Sequence, residues 1–230
     1  QIDEAYLLLG KARYFDQRFV PALEAFNYIL YKYPASSNIN QARIWREKTN
    51  LRLENDELAI KNIKTLLFQE ELKVQDLADA SSTIAQAYIN TQSLDSALTQ
   101  IKIAANTTKI RNEEGRYYFI EGQLYNALQD KDSANLAFDK VIDLNRKIPR
   151  KYLISAHVEK AKNFDYDKGN KLEFIEYLTD LEEDRENRPF LDQIYHQVAQ
   201  YHSNLKADSL ATVYYNKSLR TNSQDKILMA

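Results

Sequence analysis

Residues 5–34 read AYLLLGKARYFDQRFVPALEAFNYILYKYP. Apolar and small residues recur here at helical spacing twice, with a break between. Leu8, Leu9, Ala12 and Phe15 mark an apolar face over Ala5 to Asp16. Gln17 and Arg18 make a corner. Ala22, Phe26, Ile29 and Leu30 then mark a second face over Phe19 to Tyr33. Pro34 lacks an N–H and its ring clashes with a preceding turn, so the second helix stops there. Counted from Gly10, Ala22 follows by 12 residues, Phe26 by 16 and Pro34 by 24. Small residues at Gly10 and Ala22 let two helix axes approach. Phe26 fills the space toward whatever stacks next.

The same unit recurs to the end of the chain. Small residues Ala22, Ala59, Ala97 and Ala134 are spaced by 37, 38 and 37, and Ala211 follows after 77, two further steps. The spacing predicts helices over Asn38–Leu53 and Asn55–Glu70, Asp76–Asn90 and Leu94–Thr107, and Glu113–Leu128 and Ser133–Asn145. Pro149–Asn163 with Lys168–Glu183, and Pro189–Ser203 with Ala207–Thr221, complete the set. Gly122, Ala134 and Phe138 repeat the offsets 12 and 16, as do Ala199, Ala211 and Tyr215. The second copy is degenerate. Ile63 takes its aromatic position, and Glu47 stands where glycine would be, so a looser or shifted helix contact is expected. The fifth is irregular, with Lys171 and Leu172 near its small position. Ser93 is expected to cap the helix that it precedes.

Helix pairs of this length, with a small residue, an aromatic and a proline at these offsets, resemble the tetratricopeptide repeat. The resemblance implies an all-α superhelical solenoid of about six helix pairs. The repeats fall at about 1–35, 36–72, 73–110, 111–147, 148–186 and 187–222, with residues 223–230 beginning a further helix. No linker interrupts them, so one domain is expected. One helix pair cannot bury both of its faces, and stacking makes a continuous core.

Composition agrees. Gly and Pro number four each among 230 residues, and 44% of residues are hydrophobic, enough for a core. No apolar run approaches the roughly 20 residues that span a bilayer. The net charge of −2 gives no general attraction to nucleic acid or anionic membrane. Cysteine is absent, which removes disulfides, thiolate metal sites and cysteine nucleophiles from this stretch. The chain starts at Gln1 and is expected to be a processed product or a fragment of a larger protein.

Nothing in the residues points to catalysis. There is no Walker loop, no GxSxG and no GxGxxG. His157, His196 and His202 lack metal-ligand spacing. No cofactor or metal is expected, and the chain is read as a non-enzyme. The better candidate is the inner face made by the first helix of each repeat. In register it carries Lys11 and Tyr14, Lys48 and Arg52, Gln86 and Asn90. Further along it carries Arg116, Phe119, Gln123 and Asn126, then His157, then His196 and Gln200. Amides pair with a peptide backbone, cations with its carboxylates and aromatics with its apolar side chains. An ordinary solvated groove is the plainer reading of the same residues. The Lys/Asn clamp of chaperone-tail-binding members is not reproduced as a set.

Two other features stand out. Sixteen tyrosines include Tyr117-Tyr118, Tyr214-Tyr215 and the group Tyr28, Tyr31 and Tyr33. Most suit packing with a wet hydroxyl, and some suit interface anchoring. The run Glu182-Glu183-Asp184-Arg185-Glu186 is either a solvated loop or an acidic docking point.

Longer strings carry a narrower resemblance. LLGKARYFDQRFVPALEAFNYILYKYP, INQARIWREKTNLRLENDELAIKN, GQLYNALQDKDSANLAFDKVI and YYNKSLRTNSQD are similar to the SprE/PorW lipoproteins of Bacteroidetes. These belong to the type IX secretion system and are linked to gliding motility. The resemblance implies a periplasmic protein held at the outer membrane by an N-terminal lipid. It implies a scaffold between the translocon and periplasmic ring or motor components of the PorK/PorN or GldK/GldN type. The signal peptide and lipid-accepting cysteine of that family are not in this stretch. A generic peptide-binding or chaperone-adaptor module is the alternative expectation.

Overall fold

The structure, a computed structural model, describes residues 1–221. The further helix expected within 223–230 lies outside the described residues. Twelve α-helices follow one another among the described residues. The first six are α1 (Ile2–Phe15), α2 (Phe19–Lys32), α3 (Ile39–Arg52), α4 (Asp56–Gln69), α5 (Val74–Asn90) and α6 (Leu94–Thr107). They are followed by α7 (Arg111–Ala127), α8 (Lys131–Leu144), α9 (Arg150–Lys162), α10 (Lys171–Glu183), α11 (Leu191–Asn204) and α12 (Asp208–Arg220). The chain divides into two compact units. The first, Gln1–Asp130, holds α1 to α7, and the second begins at Lys131. Among the described residues no helix is long and apolar enough to cross a membrane.

The small-residue register sets the packing. Ala22, Ala59, Ala97, Ala134 and Ala211 are all buried. So are Phe26, Ile63, Ile101 and Phe138, four residues further on in each case. Gly10 lies against the ring of Phe26. A Cβ there would meet Phe26 Cζ at 2.7 Å and Cδ1 at 2.8 Å, closer than real side chains approach. The glycine is therefore a steric requirement of α1 on α2.

Five corners share one device. Gln17, Glu54, Gln92, Gln129 and Lys206 all adopt left-handed backbone, with φ between 58° and 65°. Each stands five residues before its anchoring alanine. The next N–H then reaches back five residues. Arg18 donates to the Arg13 carbonyl at 2.8 Å, Asn55 to Asn50 at 2.9 Å and Ser93 to Tyr88 at 2.8 Å. Asp130 donates to Tyr125 and Ala207 to His202, both at 2.9 Å. These bonds close orphan carbonyls at the helix ends. A left-handed non-glycine residue costs roughly 1–2 kcal/mol, and the satisfied carbonyls offset it. Ser93 makes no side-chain cap, contrary to expectation. Its hydroxyl lies 3.5 Å from that of Thr91 instead.

The irregular repeat departs from this device. Asn163 after α9 keeps right-handed backbone. Asp165 then accepts from the N–H groups of Asp167 at 2.9 Å and Lys168 at 3.1 Å. Asn170 caps α10 by accepting from Leu172 at 3.1 Å. That is why α10 begins at Lys171 rather than at the expected Lys168. Pro189 likewise sits inside a 3-10 helix, Arg185–Phe190, and α11 starts after it.

Two expectations change in detail. On α1, Leu7 and Gly10 are buried. Leu8, Leu9, Ala12 and Phe15 are exposed, Phe15 by 73%. This first helix packs on α2 and α3, so the far stripe stays uncovered. At Glu47, a hydrogen-bonded carboxylate replaces small-residue packing. It is 1% exposed and accepts from Arg46 Nε at 2.6 Å, Asn50 Nδ2 at 2.7 Å and Asn62 Nδ2 at 3.0 Å. Asn62 lies on α4, so the carboxylate ties α3 to α4.

Candidate protein-binding groove

In the first unit the leading helices of successive repeats touch directly, α1 against α3 and α3 against α5. A polar ladder crosses them. Gln41 of α3 donates to Asp76 and, at 3.2 Å, to Asp79 of α5. Gln75 of α5 donates to Glu113 of α7 at 2.9 Å. Thr108 also donates to Glu113, at 2.8 Å. The carboxylates of this face are thus held by amides and a hydroxyl.

The cations are held differently. Trp45 of α3 sits among Tyr14 at 5.4 Å, Phe15 at 5.7 Å and Phe26 at 6.4 Å between ring centres. Lys11 Nζ lies 5.0 Å and Lys48 Nζ 4.7 Å from the centre of its indole. Arg52 lies 5.2 Å from the ring of Phe19, which itself packs on the edge of Tyr14 at 5.7 Å. Burial lowers the pKa of Lys11 below the ordinary lysine value, against the pull of Asp79 and Asp76. It lowers that of Lys48 too. Asp79 and Glu113 oppose that shift, while Lys11 and Arg116 add to it.

Lys11, Tyr14, Lys48 and Arg52 therefore meet in one aromatic and cationic cluster. Trp45 organises it, and the pattern of expected site residues omits it. Its signal was available: Trp45, Lys48 and Arg52 follow at i, i+3 and i+7, one face of a helix. Further along, Gln86 donates to Asn90 at 2.9 Å, and Asn90 to Asp56 at 2.7 Å. Arg116 and Gln123 are exposed on α7, and Phe119 and Asn126 are half-buried there.

The remaining three candidates lie in the second unit, where α9 touches α11. His157 Nδ1 is 2.6 Å from the hydroxyl of Tyr177 on α10. Burial raises the Tyr177 pKa, so the phenol keeps its proton. Burial also lowers the His157 pKa to about 4, helped by Lys160 and Arg150 and opposed by Asp139. His157 is therefore neutral at pH 7. Gln200 Nε2 lies 3.1 Å from His196 Nε2, and Tyr215 packs edge-on to His196 at 5.6 Å. His202 stacks on Tyr214 at 5.6 Å. Among the described residues no group of three or more His, Asp or Glu side chains could hold a metal ion.

A pH effect follows from His157. Its folded pKa lies below the unfolded value near 6.5, so the unfolded chain takes the proton first. Stability is full above that pH and falls as pH drops toward 4. Between pH 7.5 and pH 5, urea unfolding should show the parent losing more stability than His157→Gln, by on the order of 1–2 kcal/mol. Equal losses would show that this imidazole does not carry the slope.

The tyrosines and the acidic run resolve into particular contacts. Tyr117 is buried and its pKa rises to about 12 through burial, while Tyr118 beside it is half-buried. Tyr28 stacks on Tyr6 at 4.1 Å, and Tyr31 is exposed. In the acidic run, Asp184 and Glu186 both pair with Arg150, and Glu186 also pairs with Arg146 at 2.7 Å. Part of that run is therefore spent inside its own unit.

No family model and no curated protein matches this sequence. Solved structures do resemble the chain. The structure from a functional characterization of Pseudomonas aeruginosa PilF superposes with a TM-score of 0.67 at 15% identity, covering 99% of this chain and 95% of that one. A tetratricopeptide repeat protein from Parabacteroides merdae gives 0.52 at 14% identity over 99% and 96% of the two chains. A thermophilic TPR protein in Thermus thermophilus gives 0.51 at 18% identity over 98% and 94%. Helix pairs anchored on small residues, and this likeness, give the chain the all-α fold of tetratricopeptide repeat proteins.

Proposed function

We propose that this chain is a non-catalytic scaffold that binds partner proteins, working within the type IX secretion machinery. The observation that carries the binding reading is the cluster around Trp45. Its cations rest on aromatic faces and make no ion pair among the described residues, so they are available to a partner. The repeat fold supports it, because stacked helix pairs present an extended surface suited to a peptide or a protein. The secretion role rests on the strings resembling SprE/PorW. On that reading the full-length protein is periplasmic and lipid-anchored at the outer membrane. It links the translocon to ring and motor components of the PorK/PorN or GldK/GldN type.

A pull-down from a cell envelope is expected to recover secretion components with this chain. Recovery of cytoplasmic chaperones alone would overturn the secretion role. Arg116→Glu reverses an exposed charge on α7, so binding should weaken by about tenfold while helicity and melting stay as in the parent. Unchanged affinity would move the contact away from this face.

A further inference from the structure

We infer that the cluster of Lys11, Trp45 and Lys48 receives acidic side chains from an extended partner segment whose neighbouring apolar side chain seats on Trp45 and Phe15. The inference rests on the reading of this chain as a protein-binding scaffold and names the chemistry of what it binds.

Two helices from successive repeats supply the cations, α1 and α3. Burial makes the charge of Lys48 harder to keep and Lys11 adds to that cost, while Asp79 and Glu113 oppose it through space. A folded chain ordinarily offsets such a gathering with a direct ion pair, yet among the described residues neither lysine makes one. The nearby carboxylates act on them without an ion pair. Asp76 and Asp79 are hydrogen-bonded by Gln41, and Glu113 by Gln75 and Thr108. The chain thus holds two lysines together over an indole with carboxylates near but not paired to them, and leaves the direct ion pair to a partner. Cations on an aromatic face keep their charge and orientation with little water around them, a good setting for a carboxylate.

The apolar half has its own observation. Phe15 is 73% exposed and lies 5.7 Å from Trp45. A large ring left in water beside the cations offers an anchor for an aliphatic or aromatic side chain. Acidic and apolar residues side by side are therefore the matching partner chemistry.

The chain has a single tryptophan, so the site reports on itself. The full chain would be titrated with short peptides, blocked at both ends, that carry two or three Glu or Asp residues beside Phe or Leu. A saturable change in tryptophan emission is expected. It should be absent with matched Gln/Asn peptides and should weaken as salt is raised. Lys11→Gln combined with Lys48→Gln should reduce affinity at least about tenfold, with far-UV circular dichroism as in the parent. Lys32→Gln, at an exposed cation on α2, should leave affinity unchanged. Equal response to the Gln/Asn peptides, no saturable change, or unchanged affinity in the double variant would overturn the inference. So would a requirement for a free C-terminal carboxylate. An envelope partner that the double variant still retains would overturn this inference and leave the scaffold reading standing. Failure to recover any protein partner would overturn the scaffold reading itself.

Discussion

Replacing Phe26 with alanine is expected to lower the unfolding free energy by about 3–5 kcal/mol, the largest effect of any single truncation in the first unit. The ring is fully buried, packed with Leu7, Ala22, Ile29 and Ala42, and capped by Gly10. Gly10 has no side chain that could move into the space. Ala22 and Ala42 are too short to fill it, and neighbouring helix backbones cannot close on a void of that size without breaking their own register. Lost transfer energy and an unfilled cavity therefore add. Trp45 lies 6.4 Å from the Phe26 ring, so its emission follows unfolding at this place. Urea unfolding read by tryptophan fluorescence checks the value. A midpoint matching the parent would mean that Phe26 is not the packing centre of this repeat.

Glu47→Ala is expected to cost about 3 kcal/mol, although it removes a charge from the interior. The carboxylate satisfies three donors, and among the described residues none of them has another acceptor. Without it the Arg46 guanidinium loses its ion pair, the buried amide of Asn50 is left with no partner, and the half-buried amide of Asn62 loses its acceptor. An unsatisfied buried donor costs about 1–3 kcal/mol. Partial exposure of Arg46 moderates its share. Glu47→Gln keeps one acceptor oxygen and should cost about 1–2 kcal/mol. The same unfolding measurement separates the three proteins. A Glu47→Ala chain as stable as Glu47→Gln would show that the bond network is not what ties α3 to α4.

Phe26 and Glu47 show how far the sequence could be read. Phe26 was legible because packing in this fold repeats. Its distance from Gly10 and Ala22 recurs at Phe138, Gly122 and Ala134. Glu47 was legible only as a departure. The sequence places a charge where glycine belongs, but its partners Asn50 and Asn62 are known only once α3 and α4 are side by side. The corners behave in the same way. Left-handed backbone usually announces itself with glycine, and here Gln17, Glu54, Gln92, Gln129 and Lys206 adopt it. Their regular spacing was visible, but their conformation was not, because a helix end demands it rather than the side chain.

The site divides along the same line. Lys11, Tyr14, Lys48 and Arg52 could be placed on one inner face by helical register. Register also put His157 there, where the structure finds its imidazole tied to Tyr177 of the following helix. Nothing in the order of residues indicates that two lysines from different repeats share one indole. The sequence by itself determined the repeat, the helix pairs and the small-residue anchors, since those follow from spacing along a single chain direction. Only the tertiary structure decided which groups face one another across repeats, how buried they are and which charges go without a partner. Those depend on distances between segments well apart in the chain, as between Lys11 and Trp45, and the chain fixes such distances only by packing.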